Sequence, residues 1–177
     1  MKNVVLIGFM GTGKTSTGRL LAGRLNRPFV DIDKKIEQES KMSISDIFSI
    51  YGEQYFRQIE KDVIARVSRH TNTIIATGGG AFLQRENRER LLRNGIIISL
   101  QATVDVILER TTRSADRPLL EVSDKAERIA RLLGERAAIY EQADYIIDTS
   151  SFSPQYIAEK IIVFLRQGGY LRGRCYG

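Results

Sequence analysis

Gly8-Phe9-Met10-Gly11-Thr12-Gly13-Lys14-Thr15 lies between a continuous apolar run, Val4-Val5-Leu6-Ile7, and a segment of helical periodicity that opens at Lys14. A glycine, four free residues and then Gly-Lys-Thr is the spacing of a phosphate-binding loop. Its glycines let the backbone wrap so that consecutive N–H groups point inward at phosphate oxygens. The N-terminus of the following helix adds its own amides and the positive end of its dipole. Gly11, Thr12, Gly13 and Ser16 are therefore expected to bind the nucleotide together with Lys14 and Thr15. Lys14 is expected to reach the β- and γ-phosphates, and the Thr15 hydroxyl to bind Mg²⁺. Four such fixed positions arise by accident in on the order of 1% of chains of this size. The required context, strand before and helix after, is also present.

Outward from the loop, apolar runs alternate with helical patterns. The helix from Lys14 places Leu20, Leu21 and Leu25 on its inner face. Pro28-Phe29-Val30 leads into a second strand that ends at Asp31. Phe56, Ile59, Val63, Ile64 and Val67 predict a helix over 53–70. Residues 73–76 predict a strand that breaks at Gly78-Gly79-Gly80, and a polar helix over 84–93 stops at Asn94-Gly95. Ile96-Ile97-Ile98 predicts the next buried strand, followed by a helix over 103–111. Residues 113–119 are polar and contain Pro118, which predicts an exposed loop. A long helix over 123–140 precedes a last strand, Tyr145-Ile146-Ile147, and a closing helix carries Ile157, Ile161, Phe164 and Leu165 on one face. Strands separated by helices imply an α/β fold, a mostly parallel sheet covered on both sides. Ligands in such sheets bind beyond the carboxyl ends of the strands.

The 177 residues suit one domain, and 42% hydrophobic with 27% charged residues is an ordinary globular balance. The formal net charge of +6 favours anionic partners. The arginines are spread along the chain with no basic stripe interleaved with aromatics, so small phosphorylated or carboxylated ligands are expected and nucleic acid is not. The single cysteine, Cys175, excludes an intramolecular disulfide and a cysteine metal cluster, which suits a reducing cytoplasm. The opening apolar run is too short for a signal peptide and lacks a small-residue cleavage site. Nothing approaches the ~18 apolar residues of a membrane span.

A phosphate loop alone does not separate a kinase from a GTPase switch or a motor. No Asn-Lys-x-Asp guanine motif occurs, and a motor usually needs a larger body. Small size, acids at the end of the second strand and a late arginine-rich loop favour a metabolite or nucleotide kinase. Four further groups then follow the stretch 8–16 and Phe29-Val30-Asp31-Ile32-Asp33. They are Gly52-Glu53 with Phe56-Arg57 and Glu60; Ala76-Thr77-Gly78-Gly79-Gly80; Arg117-Pro118-Leu119-Leu120; and Glu135-Arg136 followed by Tyr140. In order and spacing, over about residues 3–165, these resemble the shikimate kinase family.

The resemblance implies a three-layer P-loop kinase fold, with a five-stranded parallel sheet in the order 2-3-1-4-5, helices on both faces and a mobile lid at about 112–124. It implies one domain over 1–177, with a substrate-binding region at about 31–60, acting as a monomer. The implied reaction is Mg²⁺-dependent transfer of the ATP γ-phosphate to the 3-hydroxyl of shikimate, giving shikimate 3-phosphate and ADP on the route to chorismate and the aromatic amino acids. Asp31 is placed near the metal, directly or through water. Asp33 would contact the substrate hydroxyls and orient or deprotonate the attacking oxygen. Either aspartate also suits the cap of the next helix. Arg57 and Arg136 would hold the shikimate carboxylate with forked guanidinium donors. Gly79 and Gly80 would offer it backbone N–H groups. Arg117, on the lid, would reach the phosphates and help exclude water, and Arg110 would stack on adenine. The loop over 150–153 would flank the adenine, with no contact assigned.

Lys14, Asp33 and Arg117 are thus the expected catalytic residues. His70, the single histidine, matches no family site and reads as a surface residue. Ala137-Ala138 stands where relatives often place a proline, and the tail over 168–174 extends past the resemblance. Competing readings are a gluconate or other polyol-acid kinase, a non-catalytic ATP-binding module and a nucleic-acid-binding ATPase.

Overall fold

A computed structural model of the chain describes residues 1–112 and 125–171. Its strands are β1 (Asn3–Ile7), β2 (Phe29–Asp31), β3 (Ile74–Ala76), β4 (Gly95–Gln101) and β5 (Tyr145–Asp148). They form one sheet in the order β2-β3-β1-β4-β5, and every neighbouring pair is parallel. The helices are α1 (Lys14–Leu25), α2 (Ile32–Ser40), α3 (Ile44–Val67), α4 (Arg85–Asn94), α5 (Val104–Thr112), α6 (Lys125–Tyr140) and α7 (Pro154–Gln167).

The strand period divides the core into two halves. Val5 and Ile7 of β1, with Ile75 and Ile97, face a cluster that includes Ile36, Phe56, Ile64, Ile107 and Ile129 from α2, α3, α5 and α6. Val4 and Leu6, with Ile74, Ile96 and Ile98, face Leu21 of α1 and Ile157, Ile161 and Leu165 of α7. Every residue of β1 is buried, which is why Val4 to Ile7 are continuously apolar rather than alternating. Each such Val, Leu or Ile side chain contributes about 1.5–3 kcal/mol of transfer free energy. At the edge, β5 alternates half-buried with exposed positions, and Ile146 is 40% exposed.

Two local readings change. The helix expected over 53–70 is the second part of α3, which begins at Ile44 and is interrupted where Gly52 takes φ 82°, ψ 171°. Its start is capped twice: Ser43 Oγ accepts from Asp46 N at 3.0 Å, and Glu37 Oε1 accepts from Ile44 N at 3.1 Å. Ile50 and Tyr51 are exposed, so the first part of the helix shows no clean apolar stripe. Helix α4 does end at Asn94, but Gly95 is not a left-handed cap. It is extended (φ −117°, ψ 152°) and opens β4. A Cβ there would lie 2.4 Å from the Leu91 carbonyl oxygen, so close backbone approach requires the glycine.

The expected loop over 113–119, Arg117 and the lid beyond Thr112, and the end of the chain with Cys175 lie outside the described residues. Among the described residues no helix is long and apolar enough to cross a membrane.

Candidate active site

A cleft of about 640 Å³ opens beyond the carboxyl ends of β1, β2 and β3. One wall is the loop between β1 and α1. Gly8, Gly11 and Gly13 all hold positive φ there, and a Cβ on Gly8 would lie 2.1 Å from the Leu100 carbonyl oxygen. Lys14 is 9% exposed, and its Nζ donates to the carbonyls of Gly8 and Phe9, each at 2.8 Å. The ammonium is thereby held across the loop, at the mouth of a helix N-terminus, where an anion is favoured.

Thr15 and Asp31 meet although they come from different elements. Thr15 Oγ1 donates to Asp31 Oδ2 at 2.6 Å. The other carboxylate oxygen, Oδ1, caps α2 by accepting from Lys34 N at 3.3 Å. The capping role and the place beside the phosphate loop are therefore both real, one per oxygen. A hydroxyl and a carboxylate side by side fit Mg²⁺, which prefers oxygen donors and takes most of its shell from water and phosphate. Among the described residues no cluster of three or more His, Cys, Asp or Glu suited to a metal occurs.

The opposite wall is built from charged side chains over the glycine triplet. Arg57 Nη1 donates to Glu60 Oε2 at 3.0 Å, and its Nη2 and Nε donate to Glu53 Oε1 at 3.0 and 3.3 Å. The three residues share one helix face by i,i+3 and i,i+4 spacing. A Cβ on Gly78 would stand 2.6 Å from Asp33 Oδ1 and 3.0 Å from Glu60 Oε1. One on Gly80 would stand 2.9 Å from Arg57 Nη2. Gly78 and Gly80 are glycine because three charged heads are packed against them, whereas a Cβ on Gly79 would make only ordinary contact with the Met10 backbone. Arg136, on α6, lies over the Phe9 ring at 5.1 Å, and Tyr140 one turn later donates its hydroxyl to the Gly79 carbonyl at 2.6 Å.

Glu60 is fully buried, and burial pushes its carboxyl up to about 7. The Arg57 charge and hydrogen bond pull the other way, while the negative charges of Asp33 and Glu53 add to the rise. Its Oε1 has no hydrogen-bond partner. Burial would lower Arg57, but Glu60 and then Glu53 outweigh it and hold the guanidinium above its ordinary value. Burial likewise raises the Tyr140 phenol, against the neighbouring Arg136.

Of the residues singled out in the sequence, Gly11, Gly13, Lys14, Thr15, Ser16, Asp31, Asp33, Arg57, Gly79, Gly80, Arg110 and Arg136 all line this one cleft. Thr12 does not: it is fully buried, and its hydroxyl donates to the Phe9 carbonyl at 2.8 Å. Arg117 lies outside the described residues. His70 is exposed, as expected. Three participants escaped the sequence reading: the clamping role of Glu60, the packing role of Gly78, and Thr149, which meets Arg110 behind the phosphate loop. The i,i+3 spacing of Arg57 and Glu60 was a signal for the first, but the same spacing is common on solvated helices.

The fold and site can be set beside known proteins. The shikimate kinase family model matches residues 10–166. The shikimate kinase of Thermodesulfovibrio yellowstonii is 50% identical over 162 residues, which is 92% of this chain and 94% of that one. The structure of the Acinetobacter baumannii shikimate kinase in complex with shikimate superposes with a TM-score of 0.92 at 37% identity, covering 95% of this chain and 94% of that one. A gluconokinase from Sinorhizobium meliloti, covering 96% and 94%, has a TM-score of 0.61 at 16% identity and shares the fold alone. With a family model spanning most of its length and relatives at this identity, the chain belongs to the shikimate kinase family.

Proposed function

We propose that this chain transfers the γ-phosphate of ATP to the 3-hydroxyl of shikimate, releasing ADP and shikimate 3-phosphate on the route to chorismate. The observation that carries the reading is that one cleft joins a phosphate loop to an arginine and carboxylate pocket, with Asp33 lining the space between them. The loop amides from Gly11 to Ser16 hold the nucleotide phosphates, and Lys14 exchanges its carbonyl partners for phosphate oxygens as the transferring group gains charge. Thr15 and Asp31 would hold Mg²⁺, which when bound would supply charge to offset that of the phosphates. Asp33 accepts a hydrogen bond from the attacking hydroxyl and orients it or takes its proton. Arg57, Arg136 and the N–H groups of Gly79 and Gly80 bind the carboxylate of the acceptor. Arg110 stacks on the adenine, and Arg117 reaches the phosphates from a lid at about 112–124.

The same reading makes the chain one domain over 1–177 with its acceptor region at about 31–60, a cytoplasmic monomer with no nucleic-acid or membrane partner. ADP release from Mg²⁺-ATP, offered shikimate, gluconate and a nucleoside monophosphate in parallel, tests it. Rapid turnover with shikimate alone is the expected result. Turnover with another acceptor would retain the kinase and overturn the assignment of the arginine pocket. Silence with all three, in folded protein that binds ATP, would leave a nucleotide-binding module.

A further inference from the structure

Thr149 directly follows β5 and is 3% exposed, yet three polar groups converge on its hydroxyl. Oγ1 lies 3.0 Å from the Thr12 carbonyl oxygen, 3.0 Å from the Gln101 carbonyl oxygen and 3.2 Å from Arg110 Nη1. A hydroxyl carries one proton, so it accepts from Arg110 and donates to one carbonyl. The Gln101 carbonyl already accepts from the Thr149 backbone N–H at 2.8 Å. Arg110 closes the knot, with Nη2 on the Thr149 carbonyl at 2.9 Å and Nη1 on the Gly11 carbonyl at 3.2 Å. Helix α5 backs the same loop, since a Cβ on Gly11 would stand 3.1 Å from Thr111 Cγ2.

We propose that Thr149 is a positioning residue for phosphoryl transfer: with Arg110 it pins the carbonyls of Thr12 and Gly11, and so holds the turn that presents the Gly13 N–H to the nucleotide phosphates. The peptide unit is planar and trans, so its C=O and N–H point in opposite directions. Holding the Thr12 carbonyl fixes the Gly13 N–H, and holding the Gly11 carbonyl fixes the Thr12 N–H. The latter has only a long 3.4 Å contact to the Phe9 carbonyl to hold it otherwise. Because Gly11 and Gly13 sit at positive φ with no side chain to restrict them, the loop needs such outside anchors to stay pre-shaped. Arg110 is bound here to neutral carbonyl and hydroxyl oxygens, so its positive charge stays available beside the phosphates. The inference rests on the reading of the cleft as a nucleotide site, and is independent of which acceptor is phosphorylated.

Thr149→Val keeps the shape and removes the hydroxyl, whereas Thr149→Ser keeps the hydroxyl. In the full-length protein, ADP affinity by calorimetry and the KM for ATP should both weaken about tenfold in the valine variant, the size of one lost hydrogen bond plus a stranded carbonyl. Shikimate affinity should stay within about twofold of the parent, and the serine variant should restore ADP binding to within about twofold. A purely structural threonine would lower the melting temperature and leave ADP affinity untouched. Folded Thr149→Val with parental ADP affinity overturns the proposal, as does a serine variant as weak as the valine one. Should the valine variant not fold, Thr149→Cys supplies a weaker donor of similar size. About threefold weaker ADP binding than Thr149→Ser then supports the proposal, and equal binding overturns it. The readout is nucleotide affinity, so a parent that binds ADP but fails to phosphorylate shikimate would count against the acceptor assignment alone.

Discussion

The two walls of the cleft meet anions by different means. On the nucleotide side the donors are backbone amides, and the cations Lys14 and Arg110 are bonded to neutral carbonyl oxygens. On the acceptor side Arg57 is bonded to two carboxylates, Glu53 and Glu60, and Asp33 adds a third beside them. Arg110 on the first wall therefore keeps its positive charge for phosphate, as suits a site for a highly charged ligand. The second is held in shape by its own counter-charges, which moderate its pull on a single carboxylate but fix the fork of the arginine. Geometry on one side comes from the chain path, and on the other from side-chain pairing.

If that contrast is right, removing a side chain should spare binding on the nucleotide side more than on the acceptor side. Lys14→Ala should lower kcat at least about 10³-fold, because the charge develops as the phosphoryl group moves. The backbone cradle should keep ADP affinity within about tenfold, measured by calorimetry on the folded variant. A loss of ADP binding as large as the loss of turnover would show that the cradle depends on its lysine, and would break the comparison. Asp33→Asn should lower kcat about 10²- to 10³-fold with ATP affinity unchanged, since the amide cannot take the hydroxyl proton. Retained turnover would leave Asp33 as a structural neighbour of Gly78.

The same contrast explains what was legible in the sequence. The nucleotide wall is contiguous, so Gly8 to Thr15 carries it in eight positions, and the fully buried strands advertise themselves as apolar runs. The acceptor wall draws on Asp33, Arg57, Glu60, the glycine triplet and Arg136, which only a family pattern brings together before folding does. Glu60 appeared in that pattern without a role, because an acid three residues after an arginine is equally a solvated helix pair. Thr149 gave no sign, since a hydroxyl after a strand has no periodicity and its partners are 39 and 137 residues away. The first part of α3 was hidden by exposed Ile50 and Tyr51, and Gly95 by a clash that only the folded strand creates.

On the acceptor side, Arg136→Ala should raise the KM for shikimate about 30-fold and leave the KM for ATP nearly unchanged, as expected for a charge-assisted hydrogen bond. Arg136→Lys should recover only part of that loss, because it keeps the charge without the planar fork. Steady-state kinetics with each substrate varied in turn decides it. A rise in the KM for ATP instead would move Arg136 to the nucleotide wall.

The smallest effect is the most specific to the side-chain wall. Glu60 carries a carboxyl pushed up to about 7 by burial, facing Arg57, Asp33 and Glu53. Below that pH it is neutral and leaves more of the Arg57 charge for a ligand carboxylate; above it, ionised Glu60 competes for the same guanidinium. Shikimate affinity should therefore fall about two- to fivefold as pH rises from 6 to 8, an interaction of about a kcal/mol at a partly screened site. Glu60→Gln, which retains an oxygen to accept from Arg57, should flatten that profile while the ADP profile stays as in the parent. The stability signature has a definite sign. The folded value lies above the ordinary 4.5, so the neutral form favours the fold. That contribution is complete below about 4.5 and is lost as pH rises through about 7, so the parent should lose melting temperature over that window relative to Glu60→Gln. A parent and variant that run parallel from pH 5 to 8 would mean that Glu60 stays ionised throughout, and that Arg57 is neutralised at every pH at which it must hold its ligand.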